Sequence, residues 1–123
     1  MGATILVVDD SQMVRQQVSR ALTAAGFSMI EACDGLDAHQ KLESTTGIRL
    51  IVCDVNMPRM NGIEFLEKLS ASGSSIPVVM LTTEGQPELI QRAKALGAKG
   101  WIVKPFKPEM LVAAARKLTS AAA

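Results

Sequence analysis

The feature that most constrains this 123-residue sequence is a rhythm: five short apolar runs, each followed by a segment whose apolar residues recur at helical spacing. The runs are Ile5–Val8, Ser28–Cys33, Leu50–Cys53, Val78–Leu81 and Lys99–Val103. Ile5–Val8 and Leu50–Cys53 are apolar throughout, the pattern of strands covered on both faces. Between the runs, Val14, Val18, Ala21, Leu22 and Ala25 share one helical face that Gly26 would stop. Leu36–Leu42 is a shorter candidate. Phe65, Leu66 and Leu69 mark a third helix closed by Ser72-Gly73-Ser74-Ser75, and Leu89, Ala93 and Leu96 a fourth ending at Gly97. Leu111, Ala114, Ala115 and Leu118 mark a fifth, with Pro108 in its first turn and the terminal alanines extending or fraying it. Parallel strands need crossover connections, so this alternation predicts an α/β fold: a doubly wound, five-stranded parallel sheet with five helices.

Composition narrows the rest. The length is near the commonest size for one domain, and 48% hydrophobic with 20% charged residues is an ordinary globular balance. One domain over residues 1–123, with no output domain, is the expectation. A net charge of +1 gives no sign of wholesale nucleic-acid or membrane binding. The charge is unevenly spread, with 6 Lys/Arg against 9 Asp/Glu in residues 1–83 (net −3) and 7 against 3 in residues 84–123 (net +4). That is either a scattered solvated surface or a basic face that meets an acidic partner. Cys33 and Cys53 each lie in an apolar run, which predicts two buried thiols rather than a disulfide or metal site. There is no signal-peptide pattern and no apolar stretch of membrane-spanning length. Met1-Gly2 opens a myristoylation-like start, but position 6 is Leu6 rather than Ser or Thr. A reduced, cytoplasmic protein is expected.

In an open α/β sheet, ligands bind beyond the carboxyl ends of the strands. The polar residues there are Asp9-Asp10 after the first run, Asp54 after the third, Thr82-Thr83 after the fourth and Lys104-Pro105 after the fifth, while Asp34-Gly35 after the second reads as a turn. Three clustered carboxylates repel, and a divalent oxygen-loving cation such as Mg²⁺ relieves them. Their −3 with Mg²⁺ and Lys104 sums to zero, a balance suited to receiving a phosphoryl group. Asp54 is then the nucleophile, Asp9 and Asp10 hold the metal, and Thr82 and Lys104 meet the phosphoryl oxygens. Taken singly, each has a plainer explanation. Asp10 or Ser11 caps a helix, Asp54 ends a strand, Thr82 is a β-branched strand residue and Lys104 a snorkelling edge charge. Their coincidence at four of five strand ends favours a site.

The stretches Val-Val-Asp-Asp-Ser, Asp-Val-Asn-Met-Pro-Arg-Met-Asn-Gly, Met-Leu-Thr-Thr-Glu and Gly-Trp-Ile-Val-Lys-Pro-Phe occur in this order over almost the whole chain. In them the sequence resembles the response-regulator receiver domains of two-component signalling, especially the stand-alone chemotaxis (CheY-like) type. The resemblance implies a flavodoxin-like sheet of order 2-1-3-4-5 and Mg²⁺ as cofactor. It implies Asp54 as phosphoacceptor, Asp9, Asp10 and Asp54 as metal ligands together with the Asn56 carbonyl, and Thr82 and Lys104 as phosphoryl-contacting residues. It implies a cis peptide between Lys104 and Pro105, and a switch pairing Thr82 with an aromatic on the fifth strand. A histidine kinase would be the phosphodonor. The rearranged face of the fourth helix, fifth strand and fifth helix would bind a target, the flagellar motor or another signalling protein. Such a domain acts as a monomer, binds neither nucleic acid nor membrane, and catalyses only its own phosphorylation and dephosphorylation.

The sequence also departs from the family. The switch aromatic is usually Tyr or Phe and here is Trp101, whose indole donates but does not accept a hydrogen bond. It either takes part in the switch or simply packs on the sheet edge. Thr83 stands where a smaller residue is common, and Asn56 and Glu84 occupy the positions that tune phosphoryl lifetime. Lys99, Trp101 and Lys107 are the expected partner face. His39 reads as a solvated surface residue, and Met57 and Met60 as packing for the loop after Asp54. Two other functions compete. A haloacid-dehalogenase-type phosphatase also uses an aspartyl phosphate but carries Asp-x-Asp after its first strand, whereas here Asp54-Val55-Asn56 follows the third. A phosphate-independent scaffold of the same shape would ignore phosphodonor and Mg²⁺.

Overall fold

The computed structural model describes residues 3–57, 60–83 and 87–121. Strands β1 (Thr4–Val8), β2 (Ser28–Ala32), β3 (Ile48–Cys53), β4 (Val78–Thr82) and β5 (Gly100–Val103) alternate with helices α1 (Gln12–Ala24), α2 (Gly35–Ser44), α3 (Gly62–Ala71), α4 (Pro87–Ala95) and α5 (Pro108–Ala121). The sheet runs β2-β1-β3-β4-β5 and every neighbouring pair is parallel, as the alternation demanded.

The strands' alternating side chains build two cores. Leu6, Val8, Ile51, Cys53 and Met80 meet Ala38 of α2, Phe65 and Leu66 of α3 and Ala93 of α4 on one face. Ile5, Val7, Leu50, Val52, Val79 and Leu81 meet Val18 and Leu22 of α1 and Leu111 and Ala115 of α5 on the other. Burial on both faces accounts for the unbroken apolar runs of β1, β3 and β4. No helix among the described residues is long and apolar enough to cross a membrane.

Three local readings are corrected. The second run ends at Ala32, and Cys33 is an exposed free thiol rather than a buried one, because the chain leaves the sheet there and the Cys33 N–H turns to the Asp37 carboxylate at 3.0 Å. Asp34 is the N-cap of α2 rather than a free-standing turn, its carboxylate accepting from the Asp37 N–H at 2.9 Å. His39 is half-buried: one turn beyond Gly35 and three residues before Leu42, it sits edge-on to Phe65 with ring centroids 5.0 Å apart. Its Nε2 is buried without an acceptor or donor among the described residues. Burial, followed by the charge of Lys68, holds its pKa below the usual histidine value. Met57 and Met60 are buried and pack the loop after Asp54, as expected.

Candidate functional site

The sheet's winding reverses between β1 and β3, so a cleft opens there at the carboxyl edge. Register decides what lines it. Val8 stands beside Cys53, so the next residues, Asp9 and Asp54, emerge side by side, and the Asp54 N–H donates to the Val8 carbonyl at 2.9 Å. Thr82 pairs with Val103, and the Lys104 N–H donates to the Thr82 carbonyl at 2.7 Å. Four residues far apart in the chain thus meet at one edge.

Asp9, Asp10 and Asp54 each bring a carboxylate oxygen to within 4.8 Å of the others. Asp9 and Asp54 are buried while Asp10 is exposed, so the cluster opens to solvent on one side. Lys104 Nζ donates to Asp9 Oδ2 at 2.9 Å and lies 3.4 Å from Asp54 Oδ1. The other Asp9 oxygen accepts from the Ser11 N–H at 2.9 Å. Ser11 also caps α1, accepting from the Val14 N–H at 3.3 Å, so the capping reading was right for Ser11 and leaves Asp10 at the cluster. Thr82 is fully buried, whereas Thr83 and Asn56 are exposed. The Lys104–Pro105 peptide is cis. Lys99 and Lys107 are exposed and Trp101 half-buried, its Nε1 enclosed with no acceptor among the described residues. Glu84 lies outside the described residues.

The electrostatics are strained in a useful way. Burial first, and the Asp9 charge second, push the Asp54 pKa up to about 6, against the charge and hydrogen bond of Lys104 and a bond from the Val55 N–H. Burial alone would lower Lys104, but its hydrogen bond to Asp9 and the charges of Asp9 and Asp54 outweigh it, so the pKa lies above the usual lysine value. Burial, then Asp54 and Asp9, push the Cys53 thiol far up, leaving it an inert neighbour. Three carboxylates against one ammonium leave the pocket short of two positive charges. Hard oxygen donors with that deficit fit a divalent cation of the Mg²⁺ kind.

Two further residues contribute to this arrangement: Arg15, which carried no signal in the sequence, and Gly62, which entered only as the last residue of the Asp-Val-Asn-Met-Pro-Arg-Met-Asn-Gly stretch. Arg15 reaches back from α1 to the Asp9 carbonyl, and Gly62 packs against the Asp54 backbone; both contacts arise only on folding.

Residues 5–116 match the response regulator receiver domain family, and the chain belongs to that family. Among curated relatives, the chemotaxis protein CheY1 of Helicobacter pylori (strain J99) is 39% identical over 111 residues, spanning 87% of this chain and 89% of that protein. The chemotaxis protein CheY of Treponema pallidum is 40% identical over 104 residues, spanning 83% and 72%. The solved structure of Vibrio cholerae chemotaxis protein CheY4 superposes with a TM-score of 0.88 at 42% identity, covering 96% of this chain and 99% of that one. The chain is therefore a CheY-type receiver, consistent with two-component signalling and chemotaxis; such receivers are signalling domains rather than enzymes with an external substrate. The phosphatase alternative falls with that membership.

Proposed function

We propose that this chain is a cytoplasmic, monomeric phosphorylation switch of chemotaxis, whose Asp54 accepts a phosphoryl group from a histidine kinase. The observation that carries the reading is the meeting of Asp54 with Asp9, Asp10 and Lys104 at the winding reversal. Asp9, Asp10, Asp54 and the Asn56 carbonyl would hold Mg²⁺. Bound there, the cation supplies the missing positive charge and spreads the charge of the transferring group.

The chain's own groups do the rest. The phosphorus–nitrogen bond to the donor imidazole breaks as a bond to an Asp54 carboxylate oxygen forms. That oxygen must be unprotonated, and a pKa of about 6 leaves Asp54 ionised at neutral pH. Lys104, held by Asp9, offers its ammonium to the phosphoryl oxygens, and the Thr82 hydroxyl offers a donor from the next strand. Phosphorylation replaces one carboxylate charge by roughly two phosphoryl charges, which pull Thr82 and Lys104 towards them. The space Thr82 leaves is available to Trp101. In the present arrangement the buried indole N–H has no acceptor among the described residues, an expense of about 1–3 kcal/mol that a second arrangement can relieve. Two discrete packings of Trp101 would then report the phosphoryl state on the α4-β5-α5 face.

Four large hydrophobic side chains are exposed among the described residues, namely Met13, Leu36, Val103 and Met110. By their positions at the starts of α1, α2 and α5 and the end of β5, all four lie towards the carboxyl edge of the sheet, the edge that carries the acidic pocket. That rim suits a protein phosphodonor seated over Asp54.

Incubation with Mg²⁺ and acetyl phosphate should raise the intact mass by one phosphoryl group, and Asp54→Asn should show no gain. An unchanged wild-type mass, or a gain that persists in the variant, refutes the reading. For the output face, Lys99→Glu combined with Lys107→Glu should weaken binding of the phosphorylated form to its target about tenfold, an effect that shrinks with added salt. Equal affinity would remove those lysines from the interface.

A further inference from the structure

Behind the acidic pocket stands a cation that the chemistry above does not use. Arg15 lies in α1 with its side chain only 17% exposed. Its Nη1 donates to the Asp9 carbonyl at 2.6 Å, and its Nε pairs with Glu31 of β2 at 3.1 Å. Glu31 is itself held: its carboxylate accepts from the Ser19 hydroxyl at 3.3 Å, and its carbonyl accepts from Lys41 of α2 at 3.2 Å. The Asp9 N–H meanwhile donates to the Ala32 carbonyl at 3.1 Å. The backbone of Asp9 is therefore gripped on both sides, from β2 and from α1.

That grip has a chemical reason. Asp9 is 1% exposed and lies just past the end of β1, where the chain leaves the sheet. A buried carbonyl that has lost its ladder partner must find a donor elsewhere. The carbonyl in question belongs to the peptide plane joining Asp9 to Asp10. Whatever fixes that plane fixes the direction in which Asp10 presents its carboxylate to Asp54.

We propose that Arg15 is a positioning residue for the acidic pocket. Through the Asp9 carbonyl it sets the Asp9–Asp10 peptide, and Glu31 with Ser19 aims the guanidinium. The inference rests on the reading that the three carboxylates bind a divalent cation, and it assigns Arg15 no contact with phosphoryl group or metal.

The sign of the effect separates this role from simple electrostatics. A guanidinium close to a cation site repels the incoming ion, so by Coulomb's law alone its removal tightens Mg²⁺ binding. Loss of a positioning contact weakens it, and groups that orient metal ligands are typically worth about tenfold to a hundredfold in affinity.

The test is calorimetric titration of Mg²⁺ alone into the unphosphorylated wild type, Arg15→Met, Arg15→Lys and Glu31→Gln, each checked for folding by circular dichroism. Arg15→Met keeps the apolar stem and removes every donor, so its Mg²⁺ affinity should fall about tenfold or more. Arg15→Lys restores one donor and should recover part of the loss. Glu31→Gln keeps the acceptor but not the charge and should weaken binding about threefold. Unchanged or tighter binding by folded Arg15→Met overturns the proposal while leaving the switch reading intact. Should Arg15→Met fail to fold, Glu31→Gln decides: weaker binding supports the role, and equal or tighter binding overturns it. A wild type that takes up no Mg²⁺ overturns the metal reading, and this inference with it.

Discussion

Asp54→Asn should make the protein more stable at pH 7 in metal-free buffer by about 2–3 kcal/mol, while removing its capacity to be phosphorylated. The folded protein holds the Asp54 carboxyl at a pKa of about 6, whereas the unfolded chain has it near the ordinary 3.8. Between those values the folded state binds the proton and the unfolded state does not. Stability linked to this group is therefore present below about pH 4, declines as pH rises through the window to about 6, and is fully lost above it. The difference between those two values corresponds to nearly 3 kcal/mol. The neutral amide carries no such cost. The variant should gain roughly 10 °C in melting temperature at pH 7 and close to nothing at pH 4. Added Mg²⁺ should narrow the gap by stabilising the wild type more than the variant. Equal stability at pH 7 would mean that the buried carboxylate is already compensated within the protein. The expected trade, stability given up where chemistry needs an ionised group in a crowded place, is the usual one at functional sites.

Gly62→Ala should cost roughly 3–5 kcal/mol and slow phosphorylation at the same time. A Cβ at this position would stand 2.1 Å from the Asp54 carbonyl oxygen and 2.9 Å from its carbon. Backbone, unlike a side-chain tip, has no room to swing away. The Gly62 N–H also donates to the Val55 carbonyl at 2.8 Å, so the loop after Asp54 folds back onto the start of α3 and cannot simply lift off. The cap next to it fixes that start: Asn61 and Glu64 exchange side chain-to-backbone bonds at 2.9 and 3.0 Å. Gly35→Ala is the matched control. Its Cβ would meet Met60 Cγ at 2.7 Å, Sδ at 2.8 Å and Cβ at 2.9 Å, so a buried side chain rather than backbone must shift, and the expected loss is smaller, about 1–3 kcal/mol. Urea unfolding of both variants measures the difference. A Gly62→Ala protein within 1 kcal/mol of wild type would show that the loop relaxes more easily than its packing implies.

What was legible in the chain was whatever depends on local pattern. The unbroken apolar character of Ile5–Val8 and Leu50–Cys53 announced strands covered on both sides, and the structure buries β1 and β3 in that way. Gly26 and Gly97 stop their helices in the left-handed conformation, at φ of +101° each. The polar residues at the strand ends could be read because a parallel sheet delivers every carboxyl end to one edge. Cys33 and His39 were misread for the same reason as each other. An apolar neighbourhood in sequence says nothing about where a strand stops, and a polar one says nothing about which way a helix is turned.

The order of apolar runs and turns was enough to dictate an α/β chain with acidic, hydroxyl and basic groups gathered at one end, since each parallel strand and crossover helix is specified by its own few residues. Only the tertiary structure decided how those groups stand to each other. The β1–β3 register sets Asp9 beside Asp54, the reach of Lys104 across β4 ties it to both, and Arg15 and Gly62 hold the backbone beneath them. Burial and neighbouring charge then raise the Asp54 pKa, a property no side chain has until the others have packed around it.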